Sequence, residues 1–593
     1  MEQFKRTVTC GQLKKKDAKQ QVTLNGWVHR ARNHGGILFI NMRDRYGITQ
    51  VVVDDDAPDA LKEKAQTLKN EYCIAVEGIV RERPENMVNR DMPTGEVEVK
   101  AEHIEILSEC DVLPFQIDEH TNASEDLRLK YRYLDLRSTT MQNHLMLRSK
   151  VTFLVRSFLT QRGFLEIETP TFIKSTPEGA RDYLVPARLH PGKFYALPQS
   201  PQLYKQLLMV SGFDKYFQIA RCYRDEDARG DRQPEFTQID IEMSFVSRED
   251  VLSITEQMMH VVFKEACNVN LPEHFSRLTY DEAIDLYGTD KPDLRFDMAM
   301  KDAAFLADIS DFEAFKKAIA HGGAIKALVV HGQASAYSRK KIEELEETAR
   351  IFKAKGLAWM KVENSSLQGG IAKFFSGKDD YVLEKLNAHD GDLLLFVADE
   401  IKKIACYSLG AVRSKLGKDL QLAKPNDFQF VWIIDFPLFE WNEDEQKWDP
   451  AHHMFSSPQE KYLETLESDP GSVKGDLYDL VLNGYEIASG SIRIHNAELQ
   501  KRIFKIVGFD ENEAEKKFSF LTKAFRFGPP PHGGIAPGLD RILMIMAGET
   551  SIKEVIAFPK NTFAYSPMDD SPSEVEQKQL DDLHLSIKPI IQA

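Results

Sequence analysis

The chain has 593 residues, a length that favours several domains, and its 42% hydrophobic and 28% charged residues are typical of globular proteins. These values argue against long disordered regions, and no run of about 18 apolar residues suggests a membrane span. The net charge of −16 argues against nucleic-acid binding, but residues 1–50 hold ten Lys and Arg against three Asp and Glu. Because attraction to phosphates depends on a local basic surface, binding at the N-terminus stays open beside the alternative of a solvated basic face.

The first residues and the cysteines indicate the compartment. Met1 to Arg6 leads into the polar run Lys14-Lys15-Lys16 without an apolar segment, which predicts no secretory signal. The six cysteines are scattered and form no CxxC pair, so they match neither a zinc site nor a disulfide framework. We therefore expect a cytoplasmic protein.

Residues 1–105 are predicted to form a small β-rich domain. Apolar and polar residues alternate over 22–28 and 37–43, a third strand covers 49–53, and a helical stretch covers 58–70. Two more strands are expected near 73–81 and 96–107. Three strands, a helix and two strands is the order of an OB-fold barrel, whose central strands bind oligonucleotides.

Cations and aromatic residues alternate along these first strands. The cluster comprises Arg30, Arg32, Arg43 and Arg45 with Trp27, Phe39 and Tyr46. Aromatic rings stack on bases while cations follow the phosphate backbone, so the cluster favours nucleic-acid binding. The other interpretation is that the rings are barrel core. We expect Trp27 to be core and leave both interpretations open for Phe39.

The rest of the chain divides into segments that differ in charge and in the pattern of predicted helices and strands. Residues 106–136 read as a connector, and 137–287 carry helices near 141–163 and 248–267 with charged strands between them. Residues 288–424 alternate helices with short apolar strands and few reactive groups, which predicts an inserted α+β module. The charged texture returns over 425–560, and 561–593 form a polar C-terminal extension.

Three stretches concentrate the chemistry. Residues 163–170 are a helix end, a strand and Pro170. Residues 217–242 read as an antiparallel hairpin with Arg224 on one strand and Phe236 on the other, and 533–546 are a Gly-rich turn that opens an apolar helix with Arg541 in its first turn. Each stretch alone is a modest signal.

In this order the three stretches resemble motifs 1, 2 and 3 of the class II aminoacyl-tRNA synthetases. Residues 176–183, 197–205, 232–240 and 538–541 look like the bacterial aspartyl-tRNA synthetases. The resemblance covers essentially the whole chain. It implies a multidomain α+β fold with an N-terminal OB-fold β-barrel, a class II antiparallel-sheet catalytic domain, and an inserted α+β domain of the GAD type.

The resemblance implies an aspartate–tRNA ligase. Such an enzyme joins the α-carboxylate of aspartate to the α-phosphate of ATP, releases pyrophosphate, and transfers the aspartyl group to the 3′ end of tRNA(Asp). The implied catalytic residues are Arg224, Arg541 and Glu486. The implied ATP-binding residues are Arg224, Asp225, Glu226, Gln233, Phe236, Glu486, Gly538, Leu539, Asp540 and Arg541. Asp479 and Glu486 are the implied Mg²⁺ ligands, since paired carboxylates commonly hold Mg²⁺ on phosphates.

The implied aspartate-binding residues are Glu178, Ser200, Gln202, Lys205, Arg224, Asp240, His452 and Arg493. The side-chain carboxylate of aspartate needs buried positive charge, for which Lys205 and Arg493 are the candidates, with Asp240 holding Lys205. An arginine fork matches a carboxylate through two parallel hydrogen bonds. Asparagine would leave the cations without a counter-charge, at a cost of about 3–5 kcal/mol. Met454 stands where the family usually has proline, a departure that concerns the loop rather than its chemistry.

The residues implied to contact tRNA are Arg32, His34, Phe39, Gln50 and Asn86. In relatives, the position of His34 and one near Asn86 separate enzymes that charge tRNA(Asp) alone from those that also charge tRNA(Asn). His34 points to the second class and Asn86 to the first, so tRNA(Asn) stays open. Pro170 implies a homodimer, because motif 1 usually lies at the subunit interface. No membrane partner is expected.

Two alternative functions stay open. An asparaginyl-tRNA synthetase shares the OB domain and the three motifs, but it lacks the insertion and should not present Lys205 with Arg493. A catalytically silent nucleic-acid-binding relative would have lost Arg224, Arg541 or Glu486, and all three are present.

Overall fold

The computed structural model describes residues 5–118, 121–176 and 179–588. The chain divides into two compact units. The first comprises Met1–Asn143 with Ser566–Asp570, and the second comprises His144–Tyr565 with Ser571–Ala593.

The first unit contains a closed barrel of strand order β1-β2-β3-β5-β4, so the predicted OB-fold is confirmed. Its elements are β1 (Gln21–His34), β2 (Ile37–Asp44), β3 (Gly47–Val53), α1 (Asp59–Gln66), β4 (Cys73–Glu82), β5 (Val97–Ser108), α2 (Glu125–Lys130) and α3 (Arg132–Asp135). Alternation along β1 buries Val22, Leu24 and Val28, because successive side chains of a strand point to opposite faces.

The prediction that Trp27 belongs to the barrel core is wrong. Trp27 is half-buried on the outer face of β1, where the guanidinium carbon of Arg137 lies 5.0 Å from its ring centroid. Arg43 does not belong to the exposed basic cluster, because its side chain is buried rather than exposed. Its guanidinium donates to both carboxylate oxygens of Glu71 at 2.8 and 2.9 Å. A buried guanidinium that is paired in this way cannot also follow a phosphate backbone.

The second unit begins with most of α4 (Thr139–Gln161) and is built around an eight-stranded sheet. Its elements up to the inserted segment are β6 (Leu165–Glu166), β7 (Leu184–Pro186), β8 (Phe194–Ala196), α5 (Gln202–Val210), β9 (Lys215–Tyr223), β10 (Glu235–Ser244), α6 (Arg248–Cys267), β11 (Ser276–Thr279) and α7 (Tyr280–Tyr287). Helix α6 follows the predicted range. It ends at Asn268, whose left-handed conformation (φ 58°) stops the helix.

The inserted segment folds as a smaller α+β layer. Its elements are β12 (Lys301–Asp302), α8 (Phe305–Ile309), α9 (Glu313–Ala320), β13 (Ala324–Val330), α10 (Arg339–Ile351), β14 (Ala358–Glu363), β15 (Ser366–Gln368), α11 (Asp379–Leu386), β16 (Leu393–Asp399) and α12 (Lys402–Asp419). The strands form one sheet of order β12-β13-β16-β14-β15. Every residue of β13 is buried, as a central strand covered on both faces requires.

The remaining elements complete the second unit. They are β17 (Phe430–Ile434), β18 (Phe439–Asn442), β19 (Lys447–Pro450), β20 (Leu477–Leu482), β21 (Tyr485–Ile492), α13 (Ala497–Ile506), α14 (Glu511–Ala524), β22 (His532–Pro537), α15 (Leu539–Met546) and α16 (Gln577–Asp582). The order of the large sheet is β11-β17-β20-β21-β22-β10-β9-β6. Its central pairs are antiparallel, as predicted, and only the edge strands β11 and β6 pair in parallel.

Two further findings concern the length and apolarity of the helices and the state of the cysteines. None of the helices in the described ranges is long and apolar enough to cross a bilayer. Within the described ranges, none of the six cysteines forms a disulfide.

Candidate active site

A cavity of about 620 Å³ lies in the second unit over the strands that carry the second and third motifs. Strand β10 supplies Phe236, Gln238 and Asp240, which lie on one face because they alternate along the strand. The structure brings most of the site residues predicted from sequence to this cavity. They are Ser200, Gln202, Lys205, Arg224, Glu226, Gln233, Phe236, Asp240, His452, Glu486, Gly538, Asp540, Arg541 and Arg493.

Four buried charges form a network in one part of the cavity wall. Lys205 Nζ lies 2.7 Å from Asp240 Oδ1 and 3.3 Å from Glu242 Oε2. Arg493 donates through Nε to Glu242 Oε1 at 3.0 Å and through Nη2 to Glu242 Oε2 at 3.3 Å. All four side chains are at most 2% exposed. Two cations and two carboxylates leave the network without net charge, which is what burial of so many ionic groups demands.

Glu242 and His453 are functional candidates that the sequence analysis missed. The pKa of the Glu242 carboxyl is lowered: burial would raise it, but the charges of Arg493 and Lys205 outweigh burial. Burial, with the charge of Arg493, holds the pKa of His453 well below its usual range, so its neutral Nε2 accepts from Arg493 Nη1 at 2.7 Å. The signal for Glu242 was its place two residues after Asp240 on a predicted strand, which sets both carboxylates on one face.

The network also changes the expected use of Arg493. The sequence analysis assigned the arginine fork to a ligand carboxylate, but Glu242 accepts from Nε and Nη2 of that fork. The two N–H groups of Nη1 reach His453 and Ser491. One N–H of Nη2 is left over, and the Lys205 ammonium, with three N–H groups and two carboxylate neighbours, keeps one as well.

A second group of lining residues presents unsatisfied donors. The guanidinium carbon of Arg224 lies 5.1 Å from the ring centroid of Phe236. Arg541 donates to the backbone oxygen of Glu486 and, at 3.1 Å, to Asp231 Oδ2. The Nε atoms of Arg224 and Arg541 are both buried without a hydrogen-bond partner in the described part of the chain. Because an unpaired buried donor is costly, these two atoms indicate a site for an anion.

Three residues predicted to bind ATP have other places. Leu539, the first residue of α15, is 1% exposed and packs in the hydrophobic core. Asp540 reaches the cavity, but its carboxylate accepts from the backbone N–H of Thr237 at 2.7 Å and pairs with Arg148, which ties α15 to β10. Asp225 does not line the cavity and lies 3.6 Å from Arg181. Glu178 lies outside the described residues.

Ser200, Gln202, Gln233 and Glu226 form the remaining polar wall. The backbone N–H of Gln202 donates to Ser200 Oγ at 3.3 Å. The side-chain amide of Gln233 donates to the backbone oxygen of Lys560 and accepts from its backbone N–H. Glu226 Oε2 lies 3.3 Å from Arg232 Nη1. These contacts fix the polar groups around the cavity before any ligand enters.

The predicted metal ligands lie on the hairpin of β20 and β21. Asp479 is 3% exposed, and its Oδ1 has no hydrogen-bond partner in the described ranges, while Oδ2 lies 3.4 Å from His452 Nε2. Glu486 Oε2 lies 2.9 Å from Lys291 Nζ. Both carboxylates line a second cavity of about 500 Å³ together with His452 and Lys291. No cluster of three or more His, Cys, Asp or Glu suited to a metal occurs among the described residues.

Burial and neighbouring charges shift the pKa values of Asp479, His452 and Glu486 at this hairpin. Burial raises the pKa of Asp479. Burial would also lower the pKa of His452, but the charge of Asp479 outweighs it and the histidine holds its proton more tightly than usual. The pKa of Glu486 is lowered because Lys291 and Arg541 outweigh its burial. Glu486 is therefore a carboxylate at neutral pH.

The residues predicted to contact tRNA lie in the first unit. Arg32 and Phe39 are directly opposite each other in β1 and β2, and Gln50 faces Asn41 in the pairing of β2 with β3. Directly opposite residues share a face, and Phe39 and Asn41 are two apart, so these four residues lie on one outer face of the barrel. Arg32 is exposed and Phe39 half-buried, so Phe39 is not core. His34 ends β1, while Asn86 is exposed on a short 3₁₀ turn (Glu85–Met87).

Comparison with known proteins defines the class. Residues 124–562 match the family model "tRNA synthetases class II (D, K and N)", and residues 22–107 match "OB-fold nucleic acid binding domain". The chain belongs to the class II tRNA synthetases, as the three motifs predicted.

Relatives named "Aspartate–tRNA(Asp/Asn) ligase" match the chain over nearly its full length. That of Treponema denticola is 74% identical over 99% of this chain and 100% of the relative. Those of Treponema pallidum and Borreliella burgdorferi are 60% and 49% identical, over 99% and 98% of this chain and 98% and 99% of each relative.

Solved structures share the fold. The asparaginyl-tRNA synthetase of Pyrococcus horikoshii complexed with asparaginyl-adenylate has a TM-score of 0.58 at 18% identity, covering 93% of this chain and 97% of its own. The aspartyl-tRNA synthetase of Entamoeba histolytica has a TM-score of 0.56 at 20% identity, covering 94% and 92%.

Gly534 on β22 permits the close packing beside Glu242. A Cβ at this position would lie 2.0 Å from Glu242 Oε2 and 2.2 Å from the backbone oxygen of Ile241. We predict that Gly534→Ala forces β22 from β10 and destabilises the protein by about 1–3 kcal/mol. Calorimetric melting should show a lower Tm. Gly356→Ala is the control, because its Cβ would meet no atom closer than Glu346 Oε1 at 3.7 Å. Equal melting temperatures of the two variants would contradict the prediction.

Proposed function

We propose that this chain is an aspartate–tRNA ligase that activates L-aspartate with ATP and charges tRNA(Asp) and tRNA(Asn). The observation that carries the proposal is one cavity lined both by a buried Lys205–Arg493 pair and by the unsatisfied guanidinium donors of Arg224 and Arg541. The first pair suits a small ligand with a carboxylate side chain, and the second suits a polyphosphate. The names of relatives up to 74% identical support the same activity.

Aspartate selectivity follows from the hydrogen-bond count of the network. Arg493 and Lys205 each keep one N–H, so one oxygen of the aspartate side chain accepts from each cation. The amide of asparagine offers one oxygen and two N–H groups, and its nitrogen would face a cation. Because Asp240 and Glu242 already neutralise the two cations, the cost of asparagine is that of a lost hydrogen bond to a charged group, about 1.5–3 kcal/mol, or one to two decades of discrimination.

The chemistry requires positioning and charge neutralisation. The α-carboxylate of aspartate attacks the α-phosphorus of ATP, the bond to the β-phosphate oxygen breaks, and pyrophosphate leaves. Arg224 and Arg541 each have a free donor for the developing phosphate charge, and Phe236 offers a ring for stacking of the base. No protein nucleophile is needed, because the substrate supplies its own.

Mg²⁺ is part of the proposal, and Asp479 with Glu486 fits it. Both are carboxylates on paired strands, and the buried Oδ1 of Asp479 has no partner in the described ranges. Mg²⁺ usually takes one or two protein carboxylates and completes its shell with phosphates and water, so a third protein ligand is not required. When bound, the ion supplies charge neutralisation on the phosphates. Glu486 contributes an ionised oxygen and Asp479 an unsatisfied one.

For tRNA we propose the face of Arg32, Phe39, Asn41 and Gln50 as the anticodon reader. It combines an exposed cation, a ring and amides on one barrel face, which is how OB-folds bind single-stranded bases. His34 and Asn86 stay proposed determinants of the choice between the two tRNAs. The name shared by the relatives, which covers both tRNAs, favours the relaxed specificity that His34 indicates.

We also propose a homodimer in a reducing, cytoplasmic compartment. Edge strand β6 and its surroundings expose apolar side chains: Phe153, Leu165, Phe172 and Tyr195 are 68%, 53%, 59% and 41% exposed. Large apolar side chains beside an open strand edge are typical of an interface. Six cysteines without a disulfide among the described residues fit a reducing compartment.

ATP–pyrophosphate exchange with aspartate, asparagine and lysine tests the function. We expect exchange with aspartate only. Exchange with asparagine alone would point to an asparaginyl-tRNA synthetase, and no exchange would point to a silent relative. Charging of purified tRNA(Asp) and tRNA(Asn) then tests tRNA choice, and we expect both to be charged.

Arg493→Leu should abolish aspartate-dependent exchange while ATP still binds, since the substitution removes the cation of the aspartate side chain and leaves Arg224 and Arg541 in place. Leucine also leaves Glu242 without its guanidinium partner, so folding is checked by circular dichroism. ATP binding is measured by calorimetry. Aspartate exchange at the wild-type rate would contradict the role of Arg493.

Gln50→Ala and Phe39→Ala should weaken tRNA charging without reducing exchange, because they remove anticodon contacts in the first unit only. Loss of stacking at Phe39 costs about 1–3 kcal/mol per base, about 5- to 150-fold in the KM for tRNA. Phe39→Tyr keeps a stacking ring and is the control. An equal loss in charging and exchange would show that these residues act on folding rather than on tRNA.

Leu165→Asp should convert the dimer to a monomer, because a carboxylate would be buried at the proposed interface. Light scattering gives the mass, and Leu189→Asp, at a residue 75% exposed on a turn, is the control. A wild-type protein with the mass of a single chain would refute the dimer.

A further inference from the structure

Lys291 lies outside the three motifs, yet its side chain reaches the proposed ATP site. It belongs to the segment that follows α7 and leads into the inserted α+β layer. Its Nζ lies 2.9 Å from Glu486 Oε2, and it lines both the large cavity and the second one. The lysine side chain is 36% exposed, so pairing with Glu486 does not seal it off from the cavities that it lines.

The surrounding charges favour an ammonium group at this place. Glu486 Oε2 lies 2.9 Å from Lys291 Nζ, and the carboxylates of Asp290 and Asp479 line the second cavity together with Lys291. On the other side of Glu486, Arg541 donates to its backbone oxygen. Glu486 therefore lies between two cations, one from α15 and one from the segment before the insertion.

The segment that carries Lys291 is held by the inserted layer. Arg413 of α12 is 1% exposed and donates to the backbone oxygens of four residues of the segment, Asp293, Phe296, Asp297 and Met298, at 2.9 to 3.2 Å. Gly288 and Gly410 allow α12 to approach, since a Cβ on Gly288 would lie 2.8 Å from the Gly410 Cα. Arg413 thus holds the backbone just after Lys291, and the Lys291 side chain extends to Glu486 on the β20–β21 hairpin.

A chain of ion pairs limits which cations are free to meet a polyphosphate. Arg232 pairs with Glu226, Arg541 with Asp231, and Lys291 with Glu486. If Glu486 takes up a divalent cation, its attraction for the Lys291 ammonium falls and repulsion between the two cations appears. A lysine is a compact charge on a flexible stem, so it can turn to a new anion without movement of the backbone.

We propose that Lys291 is a further ATP-binding residue of this enzyme, held by Glu486 in the ligand-free protein and transferred to the phosphate oxygens when ATP and its divalent cation bind. The proposal rests on the proposed function for the ATP site and for Glu486 as a ligand of the divalent cation, but not for the amino acid that is activated. It makes Lys291 a substrate contact and Arg413 a positioning residue that acts through the backbone of the segment.

Binding of MgATP without aspartate, measured by calorimetry, tests the contact directly. Lys291→Met should weaken ATP binding about tenfold or more, as expected for loss of one charge-assisted hydrogen bond. Lys291→Gln, which can still bond to Glu486, should weaken it by a similar factor, and Lys291→Arg should recover most of the affinity. Lys402→Met is the matched control: it removes an ion pair of 2.7 Å with Asp285 in the same unit and should leave ATP affinity unchanged.

Metal binding gives a second readout, independent of activity. Mn²⁺ binding to the ligand-free protein, followed by electron paramagnetic resonance, should be tighter in Lys291→Met than in the wild type because Glu486 is no longer neutralised. Unchanged ATP affinity in Lys291→Met and Lys291→Gln would overturn the proposal. Full ATP affinity in Lys291→Gln with loss in Lys291→Met would also overturn it, since a neutral side chain that only holds the hairpin would then suffice.

The two proposals fail in different experiments. If the wild type shows no aspartate-dependent exchange but Lys291→Met loses ATP affinity and gains Mn²⁺ affinity, the proposed function is wrong and the role of Lys291 stands. If exchange proceeds and the Lys291 variants bind ATP and Mn²⁺ like the wild type, the function stands and the role of Lys291 is wrong.

Discussion

The catalytic unit depends on four charges that are buried together: Lys205 and Arg493 against Asp240 and Glu242. No one of them could be buried alone, because an uncompensated ion in this wall would cost several kcal/mol. Their neutral sum lets the sheet close over them, and Gly534 lets β22 pack against Glu242.

The N–H groups left over on Lys205 and Arg493 are the proposed means of selecting aspartate. The same network therefore stabilises the site and gives it selectivity.

The ATP side of the cavity is organised by a different rule. There the cations are paired with single carboxylates near the cavity, while Arg224 and Arg541 keep buried donors unsatisfied. An unsatisfied buried donor destabilises the ligand-free protein, and an anion that accepts its hydrogen bond removes this cost and so binds more tightly. The hairpin of β20 and β21 joins both sides, since His452 and Asp479 lie at one end of its charge system and Glu486 with Lys291 at the other. Through Arg413, the inserted layer takes part in placing this charge.

Much of the site could be predicted because its residues are close in sequence. Phe236 and Asp240 lie on one strand of a hairpin that the sequence predicted, while Arg224, predicted on the other strand, comes one residue after the end of β9 (Lys215–Tyr223). Glu242 could have been found by the same alternation. The prediction that Trp27 is core was wrong because the sequence does not show which face of the strand an apolar ring occupies. That face is set by the register of pairing with neighbouring strands. Arg43 does not belong to the exposed basic cluster because it forms a buried ion pair with Glu71, which is distant in the sequence.

The sequence by itself predicted the barrel, because its strands follow from local alternation, and the order of its three motifs carried the resemblance that implied the class of protein and the residues expected at the cavity. Tertiary structure alone decided how the charges are paired. Arg493 gives its fork to Glu242, 251 positions away, and Lys291 reaches Glu486 from a segment anchored by a third element. The physical reason is that an ion pair in a protein interior is chosen by distance and burial in the folded sheet, which the order of residues along the chain does not encode.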